Sequence, residues 1–153
     1  MGKMILTTLG YEGLNTDQFF KILELSGVQV LVDVREKPIS HKAGFAKKAL
    51  SARCAGIPID YIHIPALGSP SQIRKDFRQD GDWERFTVRY LEHLSQKEQD
   101  INELARLVSE KVGCLMCFEA DYRRCHRYFI IEKLCHVLGD GLQVIYLDQS
   151  ALE

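Results

Sequence analysis

The chain has 153 residues, of which 46% are hydrophobic, and its formal net charge at pH 7 is −1. This length and apolar content predict a single domain over residues 1–153 and exclude two domains with separate cores. No apolar run approaches the roughly eighteen residues of a membrane-spanning helix, and MGKMILTTLGYEG reaches a glycine and an acid too early for a signal peptide, so we expect a cytoplasmic protein without a membrane partner.

Short apolar segments alternate with helical patterns in the first half of the chain. MILTTLG is predicted as a strand, and the helix NTDQFFKILELSG follows, with Asn15 or Thr16 as its N-cap and Gly27 beyond its end. VQVLVDV predicts a second strand, and AKKALSARCAG predicts a helix that ends at Gly56. IDYIHI predicts a third strand, which Pro65 stops.

The second half begins with a polar stretch that contains Gly68, Pro70, Gly81 and Asp82, which predicts a long functional loop or lid. Two helices are predicted next, over residues 83–94 and 98–112. The strand GCLMCFE, the helix CHRYFIIEKLCHVLG and the strand LQVIYL complete the chain.

This alternation of nearly all-apolar strands with helices indicates an α/β fold. We expect a three-layer, Rossmann-like architecture, in which a mostly parallel sheet of about five strands carries helices on both faces. Ligands of such folds bind beyond the carboxyl ends of the strands, where the strand order reverses. The candidates at the predicted strand ends are Gly10, Tyr11, Glu12, Asp33, Arg35, His63, Pro65, Cys117 and Glu119.

The segment CFEADYRRCHR, residues 117–127, concentrates two thiols, two carboxylates, an imidazole and three guanidiniums. On a helix that begins near Cys125, His126 and Arg127 lie on the apolar side of the first turn and therefore face inward. A helix N-terminus favours an anion and lowers the pKa of a nearby thiol. Cys125 and Cys117 are thus candidates for partly ionised thiols.

Structural roles remain open for the same residues. His126 and Arg127 could form a buried ion pair with Glu119 or Asp33, and Arg35 could do no more than pair with Asp33. Two further candidates could also have structural roles instead of functional ones. Glu12 could be a solvated turn residue, and His63 could be a buried, hydrogen-bonded histidine.

The cysteine count of five is odd and shows no regular spacing, so we expect free thiols in a reducing compartment. Cys114 and Cys117 have the spacing of a zinc knuckle, but an odd separation on a strand points their side chains to opposite faces. A site formed by Cys117, Cys125 and His126 would lack a fourth ligand, and no metal is predicted. The cysteines predicted to be small core residues are Cys54, Cys114 and Cys135.

Two families of cysteine enzymes share part of the pattern. Cys117 and Arg123 have the C-x5-R spacing of cysteine phosphatases, but Glu119 and Asp121 in the intervening loop, which has no glycine, oppose a doubly charged phosphate. VDVRE followed by HIPA resembles rhodanese-type sulfurtransferases, in which Cys117 would carry a persulfide. The compact glycine-containing cysteine loop of those enzymes is missing.

The motifs TLGYEG, LVDVREKPIS, GFAKKAL, GIPIDYIHIPALGSP and LMCFEADYRRCHR follow one another between Leu6 and Ile145, and in this order they resemble the domain of unknown function 488 family. The resemblance implies a compact α/β fold but no reaction. Tyr11 and Glu12 stand where many relatives have a serine or histidine and a polar residue. The bulky aromatic residue or proline that is common before the CHR motif is Tyr122 here, and Arg123 and Arg124 follow it. The shared polar positions that it implies are Gly10, Asp33, Arg35, Pro38, His63, Gly68, Cys117, Glu119, Cys125, His126 and Arg127.

The leading functional hypothesis is an enzyme that acts on a phosphate-bearing substrate, a nucleotide or a nucleic acid, with an unknown cofactor requirement. A non-catalytic anion or nucleic-acid binding module and a cysteine-dependent sulfurtransferase or phosphatase-like enzyme are the alternatives. Basic residues between Arg35 and Arg53, including Lys42, Lys47 and Lys48, could follow a nucleic-acid backbone. The catalytic candidates are Glu119, His126, Cys117, Cys125 and Asp33. The ligand-binding candidates are Gly10, Tyr11, Glu12, Arg35, His63, Gly68, Arg123 and Arg127.

Overall fold

A sheet of five parallel strands forms the centre of the computed structural model, which describes residues 3–153. The spatial order of the strands is β3-β2-β4-β1-β5. Their bounds are β1 (Met4–Gly10), β2 (Val30–Asp33), β3 (Asp60–His63), β4 (Gly113–Cys117) and β5 (Leu142–Tyr146). The predicted three-layer α/β, Rossmann-like fold is confirmed.

Helices cover both faces of this sheet. Their bounds are α1 (Thr16–Leu25), α2 (Lys47–Ala55), α3 (Ser71–Asp80), α4 (Trp83–Ser95), α5 (Glu98–Glu110) and α6 (Arg127–Leu138). The first helix begins at a capping box, because the Asn15 side chain accepts a hydrogen bond from the Gln18 amide and the Gln18 side chain accepts one from the Asn15 amide. No helix within residues 3–153 is long and apolar enough to cross a membrane.

The prediction of a long loop or lid after Pro65 is wrong, because α3 occupies most of this stretch. Pro70 lies immediately before the helix, and Gly81, with a φ of +63°, ends it in the left-handed conformation. Ile73 and Phe77, one turn apart, turn toward the core under α4. The glycine and proline residues therefore bracket a helix instead of marking a loop.

The alternation of side chains along the strands divides the core into two layers. Val30 and Val32 of β2 pack with α3 to α6, whereas Leu31 packs with α1 and α2. On β4, Leu115 lies in the first layer and Cys114 in the second, so Cys114 and Cys117 point to opposite faces as predicted. Cys54 and Cys114 are buried, but the prediction for Cys135 is wrong, because this residue lies on the exposed side of α6.

The strand order creates a crevice around the carboxyl end of β4. The chain leaves β4 toward α6 on one face of the sheet. It leaves the two neighbouring strands, β1 and β2, toward α1 and α2 on the opposite face. Such a reversal of direction is where parallel sheets bind ligands.

Candidate functional site

A cleft of about 580 Å³ opens at the carboxyl end of β4. Its volume falls within the range of small-molecule sites, about 300–1,000 Å³. The sequence-predicted residues that line the cleft are Tyr11, Arg35, Cys117, Glu119, Cys125 and His126. The strand ends of β1, β2 and β4 thus contribute to one concave surface.

Much of the remaining lining was not predicted from the sequence. Residues of α3 and α4 form one side of the cleft. Those of α3 were missed because this segment was predicted to be a loop, and those of α4 were missed because its predicted helix was not assigned to the site. The spacing of Ile73 and Phe77 is the signal that could have identified the first of these helices. The additional lining residues are Lys37, Ile39, Ser69, Arg74, Phe77, Arg78, Trp83, Phe86, Phe118 and Arg124.

Two free thiols meet at the bottom of the cleft. Cys117 ends β4, and Cys125 immediately precedes the first turn of α6. A short 3-10 turn over Tyr122–Arg124 folds the chain back, so that Cys117 Sγ and Cys125 Sγ lie 2.7 Å apart. Cys117 Sγ also lies 3.1 Å from Glu119 Oε2, so that its single thiol proton can be donated either to Cys125 or to Glu119.

His126 has a defined tautomer and faces Cys125. Its Nε2 lies 2.6 Å from the carbonyl oxygen of Val34. Because a carbonyl can only accept a hydrogen bond, Nε2 carries a proton. The other ring nitrogen, Nδ1, lies 3.6 Å from Cys125 Sγ, where it can hold the proton of an imidazolium opposite a thiolate.

Arg127 places a buried positive charge beside the same sulfur. The residue is only 1% exposed. Its Nε donates to Cys125 Sγ at 3.3 Å, Nη1 donates to Thr8 Oγ1 at 2.7 Å, and Nη2 donates to the carbonyl oxygen of Glu119. None of these acceptors is a carboxylate. The ion pair of Arg127 with Glu119 or Asp33 that the sequence left open is therefore not formed.

These neighbours separate the acidities of the two thiols. Burial opposes ionisation of Cys125, but the hydrogen bond from Cys117 and the positive charges of His126 and Arg127 lower its pKa well below the usual value. Burial and the hydrogen bond with Cys125 raise the pKa of Cys117. The arrangement therefore favours the thiolate at Cys125 and the protonated thiol at Cys117.

Two further groups could transfer protons. Burial raises the pKa of the Glu119 carboxyl, and the nearby Cys125 thiolate raises it further. Burial lowers the pKa of His126, but the charge of Cys125 and the hydrogen bond with it outweigh this effect, so that the pKa is raised overall. Glu119 is thus suited to donate a proton, and His126 is suited to remain an imidazolium beside the thiolate.

Asp33 lies beneath the cleft and holds Arg35. Its carboxylate accepts hydrogen bonds from Arg35 Nε at 2.8 Å and Nη2 at 2.7 Å, and it accepts one from Tyr61 Oη at 2.5 Å. Arg35 Nη1 donates to Tyr11 Oη at 3.3 Å. Asp33 does not line the cleft, so its effect on a ligand would pass through Arg35.

Gly10 and Gly68 do not line the cleft, and their backbones pack closely against other backbone segments. A Cβ atom on Gly10 would overlap the carbonyl oxygen of Glu119, and one on Gly68 would overlap the amide nitrogen of Glu36. These glycines let the segments after β1 and β3 approach the loops that carry Glu119 and Arg35.

Four other predicted residues also lie outside the lining. Glu12 accepts a hydrogen bond from the Ala120 amide at 3.0 Å, and His63 Nε2 lies 2.7 Å from the carbonyl oxygen of Arg35. Arg123 points to the surface and pairs with Asp121, whereas Arg124 lines the cleft. Arg127 lies beneath the thiols.

Most of the predicted basic stretch lies elsewhere. Lys47 and Lys48 line a separate depression on α2. Lys42 donates a hydrogen bond to the carbonyl oxygen of Tyr11 at 3.1 Å. Within this stretch, Arg35 and Lys37 are the basic residues that reach the cleft.

Cys117, Cys125 and His126 also form a group that could hold a metal ion, since their ligand atoms lie within 4.8 Å of one another. However, the guanidinium of Arg127 donates a hydrogen bond to one of these sulfurs. A fixed positive charge in that position opposes a cation. The arrangement fits an ionised thiol better than a metal centre.

Among the comparisons with known proteins, the match to one family model is the informative result. The family described as domain of unknown function DUF488 matches residues 15–134, which include α1 to α5, β2 to β4 and most of α6. No curated protein and no solved structure matches the chain. Because the match covers most of the sequence, and because the thiols, Asp33, Arg35 and His126 all lie within it, the chain belongs to the DUF488 family.

Proposed function

We propose that the protein is an enzyme in which the Cys125 thiolate attacks a phosphate-bearing substrate, a nucleotide or the phosphate of a nucleic acid. The observation that carries this proposal is the set of contacts around Cys125 Sγ. Arg127 donates to the sulfur from below, Cys117 lies beside it, and His126 Nδ1 faces it. A thiol that is activated in this way, at the first turn of a helix, has the properties of an enzymatic nucleophile.

The charge of Arg127 supports an ionised Cys125. A buried guanidinium without a counter-charge is costly, and the acceptors of Arg127 include no carboxylate. The Cys125 thiolate supplies the missing negative charge at hydrogen-bonding distance. Sequence reasoning placed the C-x5-R nucleophile at Cys117, but the protonated Cys117 thiol and the surface position of Arg123 favour Cys125 as the nucleophile.

The cations of the cleft support an anionic substrate. Lys37, Arg78 and Arg124 are exposed lining residues, and none of them forms an ion pair among residues 3–153. Glu119 is the acidic residue of the lining, and its raised pKa favours the neutral form. The net charge of the cleft is therefore positive, which attracts phosphate groups.

The reaction follows from these roles. Cys125 Sγ forms a bond to phosphorus, the bond between phosphorus and the leaving oxygen breaks, and that oxygen takes its electron pair and the proton of the Glu119 carboxyl. Water then attacks phosphorus and gives a proton to the Glu119 carboxylate, and the thiolate leaves with its electron pair. Phosphate and an alcohol are the products, and both residues regain their initial states.

We place this reaction in the cytoplasm, because a reducing compartment keeps the adjacent thiols of Cys117 and Cys125 from forming a disulfide. All five cysteines of the chain are free. The lysines of α2 lie outside the cleft, so the proposal does not depend on them.

The experiment is mass spectrometry of the enzyme after rapid acid quenching from a mixture with p-nitrophenyl phosphate or a nucleoside monophosphate. We expect a phosphoryl group on Cys125, release of the alcohol product, and loss of both in Cys125→Ser. Cys135→Ser, which changes a cysteine on the outer side of α6, is the matched control and should behave like the wild type. A wild-type enzyme that acquires no phosphoryl group from either compound, or a Cys125→Ser variant with unchanged turnover, would overturn the proposal.

A further inference from the structure

Phe118 is an exposed aromatic residue in the lining of the cleft that also contains the proposed nucleophile, Cys125. It follows Cys117 directly and is 45% exposed, although its neighbour in the chain is buried. Its position is fixed by the backbone: the Tyr11 amide donates to the Cys117 carbonyl at 3.0 Å, and the Glu12 amide donates to the Phe118 carbonyl at 2.8 Å. These bonds continue the pairing of β1 and β4 beyond the ends of the strands.

The ring of Phe118 belongs to an aromatic wall. It meets Tyr11 edge to face, with ring centres 5.4 Å apart, and Tyr11 stacks on Phe45 at 4.4 Å. Phe45 and Tyr11 are buried, so the wall is supported from behind. The exposed ring of Phe118 lines the cleft instead of covering the core.

The same cleft contains the cations Lys37, Arg78 and Arg124, which form no ion pair within residues 3–153. A ligand that uses both features carries a negatively charged group and a flat ring. Nucleotides have this combination, because bases stack on aromatic side chains and phosphates bind basic ones. Sugar phosphates and inorganic phosphate would use only the cations.

We propose that Phe118 is the stacking surface for the base of a nucleotide whose phosphate is held by the cations of the cleft. This inference rests on the proposed function, since it places the base in the same cleft as the nucleophile of that reaction. Phe118 is then a residue that determines substrate specificity and takes no part in the chemical step.

Calorimetric titration of the Cys125→Ser variant, which cannot turn the ligand over, tests this inference. The probes are adenosine 5′-monophosphate and ribose 5-phosphate, which differ by the base. Stacking of one base contributes about 1–3 kcal/mol, so the nucleotide should bind about 5-fold to 150-fold more tightly than the sugar phosphate. Adding Phe118→Leu should remove most of this difference and leave the affinity for ribose 5-phosphate unchanged.

Two more variants separate stacking from other effects. Phe118→Tyr keeps a ring and should retain the preference for the nucleotide, whereas Arg78→Gln should weaken both ligands to a similar degree. Equal affinities for the two probes, or an equal loss for both in Phe118→Leu, would overturn the inference. A short single-stranded oligonucleotide that displaces the mononucleotide would identify the source of the base as a nucleic acid, and failure to displace it would identify a free nucleotide.

The inference about Phe118 can be wrong while the proposed function is right. Transfer of a phosphoryl group from ribose 5-phosphate to Cys125, combined with no contribution of the base to affinity, would remove the Phe118 subsite and leave the thiolate mechanism in place.

Discussion

Arg127 Nε donates a hydrogen bond to Cys125 Sγ over 3.3 Å, although only one residue separates the two in the sequence. The short separation is possible because Cys125 precedes α6 in an extended conformation, whereas Arg127 is the first residue of the helix. The guanidinium therefore lies beneath the sulfur and keeps its other donors for Thr8 and Glu119. This geometry makes the charge state of Cys125 depend on a buried residue that a substrate does not contact.

The acidity of Cys125 predicts an unusual pH dependence of alkylation. Because its pKa is lowered, the thiolate persists as the pH falls below the range in which an ordinary cysteine, with a pKa of about 8.5, becomes protonated. Labelling of Cys125 by iodoacetamide should therefore change little between about pH 8 and pH 6. Burial raises the pKa of Cys135, so its labelling should fall about 100-fold over the same interval. Peptide mass mapping measures both rates, and parallel profiles would contradict the thiolate assignment.

Arg127→Gln should strongly destabilise the fold and also raise the pKa of Cys125. Loss of the guanidinium removes the counter-charge of a buried thiolate, and breaking such a pair costs about 3–5 kcal/mol. Arg123→Gln is the matched control, because the Arg123 side chain is 71% exposed and pairs with Asp121 at the surface, where solvent screens the ion pair and its contribution to stability is small. Urea unfolding measures the free-energy difference. A similar small cost for both variants would refute the role of Arg127.

Gly10→Ala should disturb the loop that carries Glu119. The new methyl group would overlap a backbone carbonyl, which cannot turn away as a side chain could, so we expect a loss of about 3 kcal/mol or more. Gly56→Ala is the control, since the nearest atom to its Cβ is 3.7 Å away and its φ is −91°. Thermal unfolding compares the variants, and an unchanged melting temperature for Gly10→Ala would show that the two segments do not approach so closely.

Asp33→Asn should impair ligand binding through Arg35. The substitution removes the charge that balances a buried guanidinium, whereas Tyr61→Phe removes only one neutral donor and keeps the bidentate pair. We expect a cost in stability of about 3–5 kcal/mol for the first variant and about 1 kcal/mol for the second. The free energy of unfolding and the affinity for a phosphate ester should be measured for both variants. Equal losses in Asp33→Asn and Tyr61→Phe would show that the Asp33–Arg35 ion pair does not support ligand binding.

Cys125 and Cys117 should form a disulfide when a small disulfide is added. The Cys125 thiolate attacks one sulfur of the reagent and releases its other half as a thiolate. Cys117 then loses its proton and displaces the remaining half from Cys125, since the two protein sulfurs are 2.7 Å apart. Intact mass should fall by two hydrogens and recover with dithiothreitol. Cys117→Ser should stop at the mixed disulfide, and an internal disulfide that forms without Cys117 would contradict this pairing.

The parallel sheet and the convergence of its strand ends could be predicted, because short apolar strands and well-marked helices such as α1 carry local signals. The α3 helix was missed, since Pro70 and Gly81 suggested a loop and the spacing of its few apolar residues, Ile73 and Phe77, was a weak helical signal. The contact between Cys117 and Cys125 depends on a 3-10 turn of three residues, whose direction also brings Arg124 and not Arg123 to the cleft. The sequence shows that Cys117 and Cys125 are close along the chain, but the direction of this 3-10 turn determines which side chains come into contact.

The order of the strands has a consequence for the limits of the folding unit. The DUF488 match begins at residue 15 and ends at residue 134, so it excludes β1 and β5. Yet β1 pairs with β4, the strand that carries Cys117, and it contributes Thr8 to the hydrogen bonds of Arg127. A fragment cut to the matched residues would expose one edge of β4 along its whole length and leave the buried guanidinium without one of its acceptors. The smallest unit that keeps these contacts must therefore extend beyond the matched residues on the N-terminal side, at least to Met4.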